Sequence, residues 1–124
     1  MVRVMILEPG RHAEVRFICP KTLPDILGGT PEITEAFEGI AIAVHEEGKI
    51  KGLPLNRALV DEEGDILDIY AGTMVIFGCG RKNDLRSLTD EEIILLLEEF
   101  GEPETPDDWA DEGDPLEEIL KKFL

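Results

Sequence analysis

Apolar positions along this chain recur first with the period of strands and later with that of helices. Val2 to Leu7 is a β-rich apolar run closed by Pro9-Gly10, and Glu14 to Ile18 alternates polar and apolar as its hairpin partner would. Thr22 is placed to cap a short helix. Pro24 then falls at the second helical position, Leu23, Ile26 and Leu27 point inward, and Gly28-Gly29 stops the helix. Ile33 to Phe37 reads as a strand with imperfect alternation, since Ile33, Glu35 and Phe37 share one face. Ile40 to His45 is largely apolar, as expected of a central strand covered on both faces, and Glu46-Glu47-Gly48 turns the chain after it. Beyond Pro54, which blocks a regular helix, Asn56 to Leu59 can form one helical turn. Asp61 to Asp65 is a turn by composition, Ile66 to Tyr70 and Thr73 to Phe77 are β-like, and Gly78-Cys79-Gly80 is expected to end the sheet.

From Ser87 the period changes. Thr89 followed by Glu92 is a capping box, and Leu88 and Ile93 stand where a hydrophobic staple would form. Ile93, Leu96, Leu97 and Phe100 make the inward stripe of this helix, and Gly101 ends it. Residues 102–113 are an acidic, Pro-containing linker that carries Trp109. Asp114 is expected to cap a last helix, with Pro115 at its first position, in which Leu116, Ile119, Leu120, Phe123 and Leu124 recur at helical spacing. The pattern predicts an α+β fold: a mostly antiparallel sheet of five or six short strands, one short early helix and two C-terminal acidic helices. Residues 1–83 are expected to form the core and 84–124 an acidic appendage packed on it, within one structural domain.

Charge sharpens this division. Residues 84–124 hold 15 acids and 3 bases, whereas residues 1–83 hold 13 acids and 9 bases. A net charge of −16 argues against direct contact with nucleic acid or an anionic membrane, whose readers present Lys/Arg patches. The longest apolar run, Ile93 to Leu97, is far too short to span a bilayer, and the N-terminal residues lack the apolar region and cleavage site of a signal peptide. Cys19 and Cys79 lie far apart with no second cysteine or histidine in metal spacing. They are expected to be free thiols in a reducing cytoplasm, and no metal or cofactor is expected.

Two constellations carry candidate chemistry. Glu47, Lys49, Asn56 and Arg57 form the densest polar cluster in the strand-rich region. Arg57 would offer a planar fork and Lys49 a point charge to a phosphate or carboxylate. Alternatively, Asn56 and Arg57 fix an irregular connection by bonding main-chain groups, and Glu47-Gly48-Lys49 forms a hairpin turn. In the appendage, Asp107, Asp108, Asp111 and Glu112 surround Trp109. An apolar anchor inside an acidic rim is the pattern of a binding hot spot, and a row of carboxylates can imitate the field of duplex DNA, with its phosphate charge every ~1.7 Å. Alternatively, Trp109 folds back on the sheet and the acids are a solvated outer face. The glycines at 78 and 80 could nest an anion, but no full phosphate-binding fingerprint surrounds them. Residues 61–65 do not follow calcium-loop spacing, since the twelfth position falls on Gly72.

The segment HEEGKIKGLPLNRAL, residues 45–59, with EPG near the start, LPDILGG at 23–29 and AGTMVIFG at 71–78, resembles a family catalogued as domain of unknown function thirty-eight forty-six. The resemblance covers residues 1–80 and extends toward the helix at 89–100. His45 departs from it, because members often have Asn there. The resemblance implies a cytoplasmic accessory protein of a phage or mobile element, and it supplies no catalytic residue. Charge and setting together lead to the expectation of a non-enzymatic binding or inhibitory protein, a counter-defence protein that covers a basic nucleic-acid-binding surface of a host protein. The alternative is a small-ligand or nucleotide-binding domain using Lys49, Asn56 and Arg57.

Overall fold

The computed structural model describes residues 1–80, 84–110 and 115–124. Its centre is an antiparallel sheet in the order β2-β1-β7-β4-β3, built from β1 (Val2–Leu7), β2 (Glu14–Ile18), β3 (Pro31–Phe37), β4 (Ile40–His45) and β7 (Met74–Cys79). A two-residue strand β8 (Leu85–Arg86) pairs with β7, and β5 (Leu55–Val60) with β6 (Ile66–Ala71) makes a separate hairpin. The helices are α1 (Leu23–Leu27), α2 (Asp90–Phe100) and α3 (Leu116–Phe123). This is the α+β architecture that the periodicities predict.

Alternation along the central strands divides the side chains between two cores. Val4, Ile6, Ala41, Ala43, Val75 and Phe77 face α1 and meet Leu23 and Leu27. Met5, Leu7, Ile42, Met74 and Ile76 point the other way, onto Leu59 and Tyr70 of the hairpin and Leu96 and Phe100 of α2. Each fully buried side chain of this size is worth about 1.5–3 kcal/mol relative to exposure. The hairpin is itself sandwiched: Ala58 and Ile69 face outward and are covered by Trp109 and Ile119 in a third cluster. The edge strands β2 and β3 carry Glu14, Arg16, Glu32 and Glu35, and β3 opens on Pro31 and is bulged between Glu35 and Phe37. Charges, Pro and bulges of this kind discourage pairing with further strands.

Several local expectations are corrected. Residues 56–59 are strand, not helix: a register irregularity between Leu55 and Ala58 buries both Asn56 and Arg57, which broke the alternation on which the sequence reading depended. Glu47-Gly48-Lys49 is not a hairpin turn. Residues 46–54 cross from one sheet to the other through tight turns closed by bonds such as Leu53 N–H to Gly48 O, 2.9 Å. Gly78 and Cys79 do not end the sheet but continue β7 against β8. The Thr22 hydroxyl donates to Cys19 O at 2.7 Å instead of capping α1, although Gly28 does end that helix, at φ 78°. In α2 the capping box and the buried Leu88, Leu96 and Phe100 match expectation, whereas Leu97 is 42% exposed. Pro115 is the cap position of α3, not its first helical residue, and Asp114 lies outside the described residues.

The division of the chain also shifts. Because β8 pairs with the sheet and α2 fills the central core, residues 84–101 are integral to the first unit. Among the described residues beyond 101, Trp109, Ile119 and Phe123 form an outer layer that rests on the hairpin.

The capping box has a pH signature. The Glu92 carboxylate accepts two bonds from Arg86, both 2.8 Å, and one from Thr89 N–H at 2.9 Å. The Arg86 bonds, then the Thr89 cap, hold its pKa down at about 2 against an ordinary 4.5, despite partial burial. A depressed carboxylate stabilises the fold above its unfolded pKa and loses that contribution as pH falls. Thermal midpoints should therefore fall between about pH 4.5 and about pH 2, and Glu92→Gln should flatten that decline. An unchanged slope in the variant would remove Glu92 from the account.

Candidate functional site

The four residues of the first polar constellation do not converge. Asn56 and Arg57 are both fully buried, each at 0% exposure. Asn56 Nδ2 donates to Leu7 O and Gly72 O, both at 2.8 Å, tying β5 to the end of β1 and to the turn before β7. Its Oδ1 accepts from Arg57 Nη1 at 2.7 Å. The guanidinium then reaches three backbone carbonyls: Phe100 O at 2.8 Å, Arg11 O at 2.7 Å and Glu8 O at 3.4 Å. Burial pushes the Arg57 pKa down from its usual value, and the nearby Glu104 opposes this. Its N–H fork is thus spent on the β1–β2 turn, the end of α2 and Asn56. No buried side-chain polar atom among the described residues lacks a partner. Lys49 sits apart near the surface, where its ammonium meets Asp68 Oδ1 and Phe123 O, each at 2.7 Å, and Glu47 is exposed. His45 ends β4, accepts Glu47 N–H on Nδ1 at 2.9 Å, and packs so closely on Gly29 that a Cβ there would collide with its ring.

Trp109 is not an exposed anchor. It is 5% exposed and seated on the outer face of the hairpin. Its indole N–H donates to Glu104 Oε1 at 2.8 Å, and the same oxygen accepts Ala58 N–H at 3.0 Å. One carboxylate oxygen therefore ties the indole to a main-chain amide of β5. Asp107 and Asp108 are exposed on a 3-10 turn (Pro106–Asp108) closed by Thr105 and Asp108. Asp111 and Glu112 lie outside the described residues.

The geometry instead brings together acids that the sequence reading did not name. A groove of about 640 Å³ runs between the hairpin, the end of α2 and α3, over Trp109 and Ile119, and its walls include Asp65, Glu99, Glu104, Asp108 and Glu118 against one base among the described residues, Lys122. A second groove shares Glu99, Glu104 and Asp108 with it and adds Glu98 and Glu102. The two form one acidic surface, and among the described residues Asp108 is the only acid it takes from the predicted set, beside Trp109 on its floor. The signal for it was present in Glu98-Glu99 and in Glu102 and Glu104, but their convergence needed the fold.

Helix electrostatics separates the acids that structure alone explains from those it does not. In α3, Glu117 and Glu118 begin the helix and Lys121 and Lys122 end it, each favourable with the helix dipole. In α2, Asp90, Glu91 and Glu92 are likewise well placed in the first turn. Glu98 and Glu99 fall in its last turn, which contains no base, where a carboxylate costs about 0.3–1 kcal/mol. That end of α2 is the centre of the acidic surface.

Asp61, Glu63 and Asp65 place carboxylate oxygens within 4.8 Å of one another in the β5–β6 turn, where Asp61 Oδ1 accepts the Glu63 and Asp65 amides, both at 2.9 Å. The amides of Cys79 and Gly80 donate to Gly39 O and Asp84 O, each at 2.8 Å, so they are not directed at an anion; Arg81 and Lys82 lie outside the described residues. No helix among the described residues is long and apolar enough to cross a membrane.

Neither the curated proteins nor the solved structures yield a match to this chain. A family model does match, over residues 2–101, a span that runs from β1 to the residue after α2 and holds the Asn56–Arg57 clamp but not Trp109 or α3. On that match the chain belongs to the family described as Domain of unknown function (DUF3846).

Proposed function

We propose that this is a non-enzymatic binding protein, a cytoplasmic accessory factor of a phage or mobile element. Its acidic surface covers a basic, nucleic-acid-binding face of a bacterial host protein. The carrying observation is the acidic surface at the end of α2, where Glu98 and Glu99 stand against the helix dipole and share their surroundings with Glu102, Glu104 and Asp108. Carboxylates kept at a cost to the fold are better explained by a partner than by stability. Such a surface steers a basic partner into encounter at low salt and loses this advantage as salt screens it.

The test is retention of host proteins on the immobilised chain, followed by elution with salt and competition with duplex DNA. The expected result is a nucleic-acid-binding protein that both treatments release. The triple variant Glu98→Gln, Glu99→Gln, Glu102→Gln should lose it, since all three side chains are exposed. Retention unaffected by that variant, or no basic protein retained, would defeat the proposal.

A further inference from the structure

Beside the acidic surface lies a groove of different character. Phe37, Glu38 and Ile40 at the β3–β4 turn face Leu95, Leu96, Glu98 and Glu99 of α2 across a cavity of about 400 Å³. Leu95 is 64% exposed and Phe37 38%, while Ile40 and Leu96 between them are buried. The Phe37 ring packs at 6.4 Å, tilted, against Phe100, so the groove has a floor continuous with the central core. Its rim carries Glu38, Glu98 and Glu99 together with Glu92, whose charge Arg86 already meets. An apolar floor inside an acidic rim fits an occupant with the opposite arrangement, apolar on one face and basic on the other.

We propose that this groove receives the apolar face of a basic amphipathic helix from the partner protein, with Leu95 and Phe37 as the apolar contacts and Glu38, Glu98 and Glu99 pairing with Lys or Arg at its margins. The proposal rests on the basic-partner reading above and deepens it by naming the element recognised. Charge selects this occupant over a second copy of the chain. Two such grooves facing one another would oppose acidic rims on molecules of net charge −16. Helix-in-groove recognition needs side-chain anchors at helical spacing, which a uniformly basic strand of chain lacks.

The probe is a synthetic peptide of leucine and lysine with its leucines on one helical face, measured by fluorescence anisotropy against a scrambled peptide of identical composition. The amphipathic peptide should bind about tenfold or more tightly than the scrambled one, as expected for an apolar anchor in a groove. Leu95→Gln, an exposed change that leaves the core untouched, should abolish this difference while the weaker binding of the scrambled peptide persists. Equal binding of both peptides to the wild-type chain would overturn the groove proposal yet leave the acidic-surface reading standing. Failure of both peptides to bind would overturn the two together. A dimer in light scattering that Leu95→Gln dissolves would also overturn it, by making a second copy the occupant.

Discussion

Arg57→Met should destabilise the fold by about 3–5 kcal/mol, a large share of the ~5–15 kcal/mol that holds a typical domain together. The reason lies in what the substitution leaves behind. Replacing both partners of a buried polar pair with apolar groups can be neutral, but here the acceptors are main-chain carbonyls and the Asn56 side chain, which no mutation of Arg57 removes. Phe100 O, Arg11 O and the Asn56 amide oxygen would each lose a donor at 2.7–2.8 Å, the first and last of them in buried surroundings. These groups belong to three segments, so the β1–β2 turn, β5 and the end of α2 would lose a common tie. Arg57→Lys should recover only part of the loss, because an ammonium cannot reproduce the planar fork. Urea denaturation followed by far-UV circular dichroism gives the measurement. A wild-type midpoint in Arg57→Met would show that the clamp does not hold the fold.

Trp109→Ala should have the second largest effect, about 3–5 kcal/mol, but on a narrower region. The indole is the largest side chain of the outer cluster. Removing it opens the cluster that covers Ala58 and Ile69, leaves a cavity beside Ile119 and takes one donor from Glu104. The described residues of that cluster come from the hairpin and the C-terminal segment and none from the central sheet, so residues 103–124 should detach while the sheet persists. Limited proteolysis should cleave the variant within that segment and leave a resistant fragment near residues 1–101. Uniform digestion of the variant would mean that the outer layer and the core fold as one unit. Uncleaved protein would mean that Trp109 contributes little to docking.

The residues of the acidic surface were legible only as a composition. Asp107, Asp108, Asp111 and Glu112 drew attention because they flank Trp109 in sequence. The surface assembled in space takes Asp108 from that set and adds Glu98, Glu99, Glu102, Glu104, Glu118 and Asp65 from four other stretches of chain. Adjacency in sequence reports a shared surface only where the chain is locally regular, and Pro106–Asp108 is a 3-10 turn. The polar pair Asn56-Arg57 illustrates the converse. Both reading as a ligand site and reading as a main-chain clamp fitted the residue types, and only the positions of Leu7, Arg11, Gly72 and Phe100, brought from far along the chain, show where the donors go.

Local physics settled much of the architecture in advance. Apolar runs marked β1 and β4, alternation marked β2, glycine at φ 78° ended α1, and a capping box set the start of α2, because each depends on residues within a few positions of one another. Tertiary structure decided what local patterns cannot carry. It assigned consecutive strands β6 and β7 to different sheets, buried an arginine by surrounding it with carbonyls, and folded a tryptophan set among acids onto the back of a hairpin. Burial is a property of assembled surfaces, so the sequence by itself could supply polarity and period, while the choice between a buried clamp and an exposed site waited on which segments met.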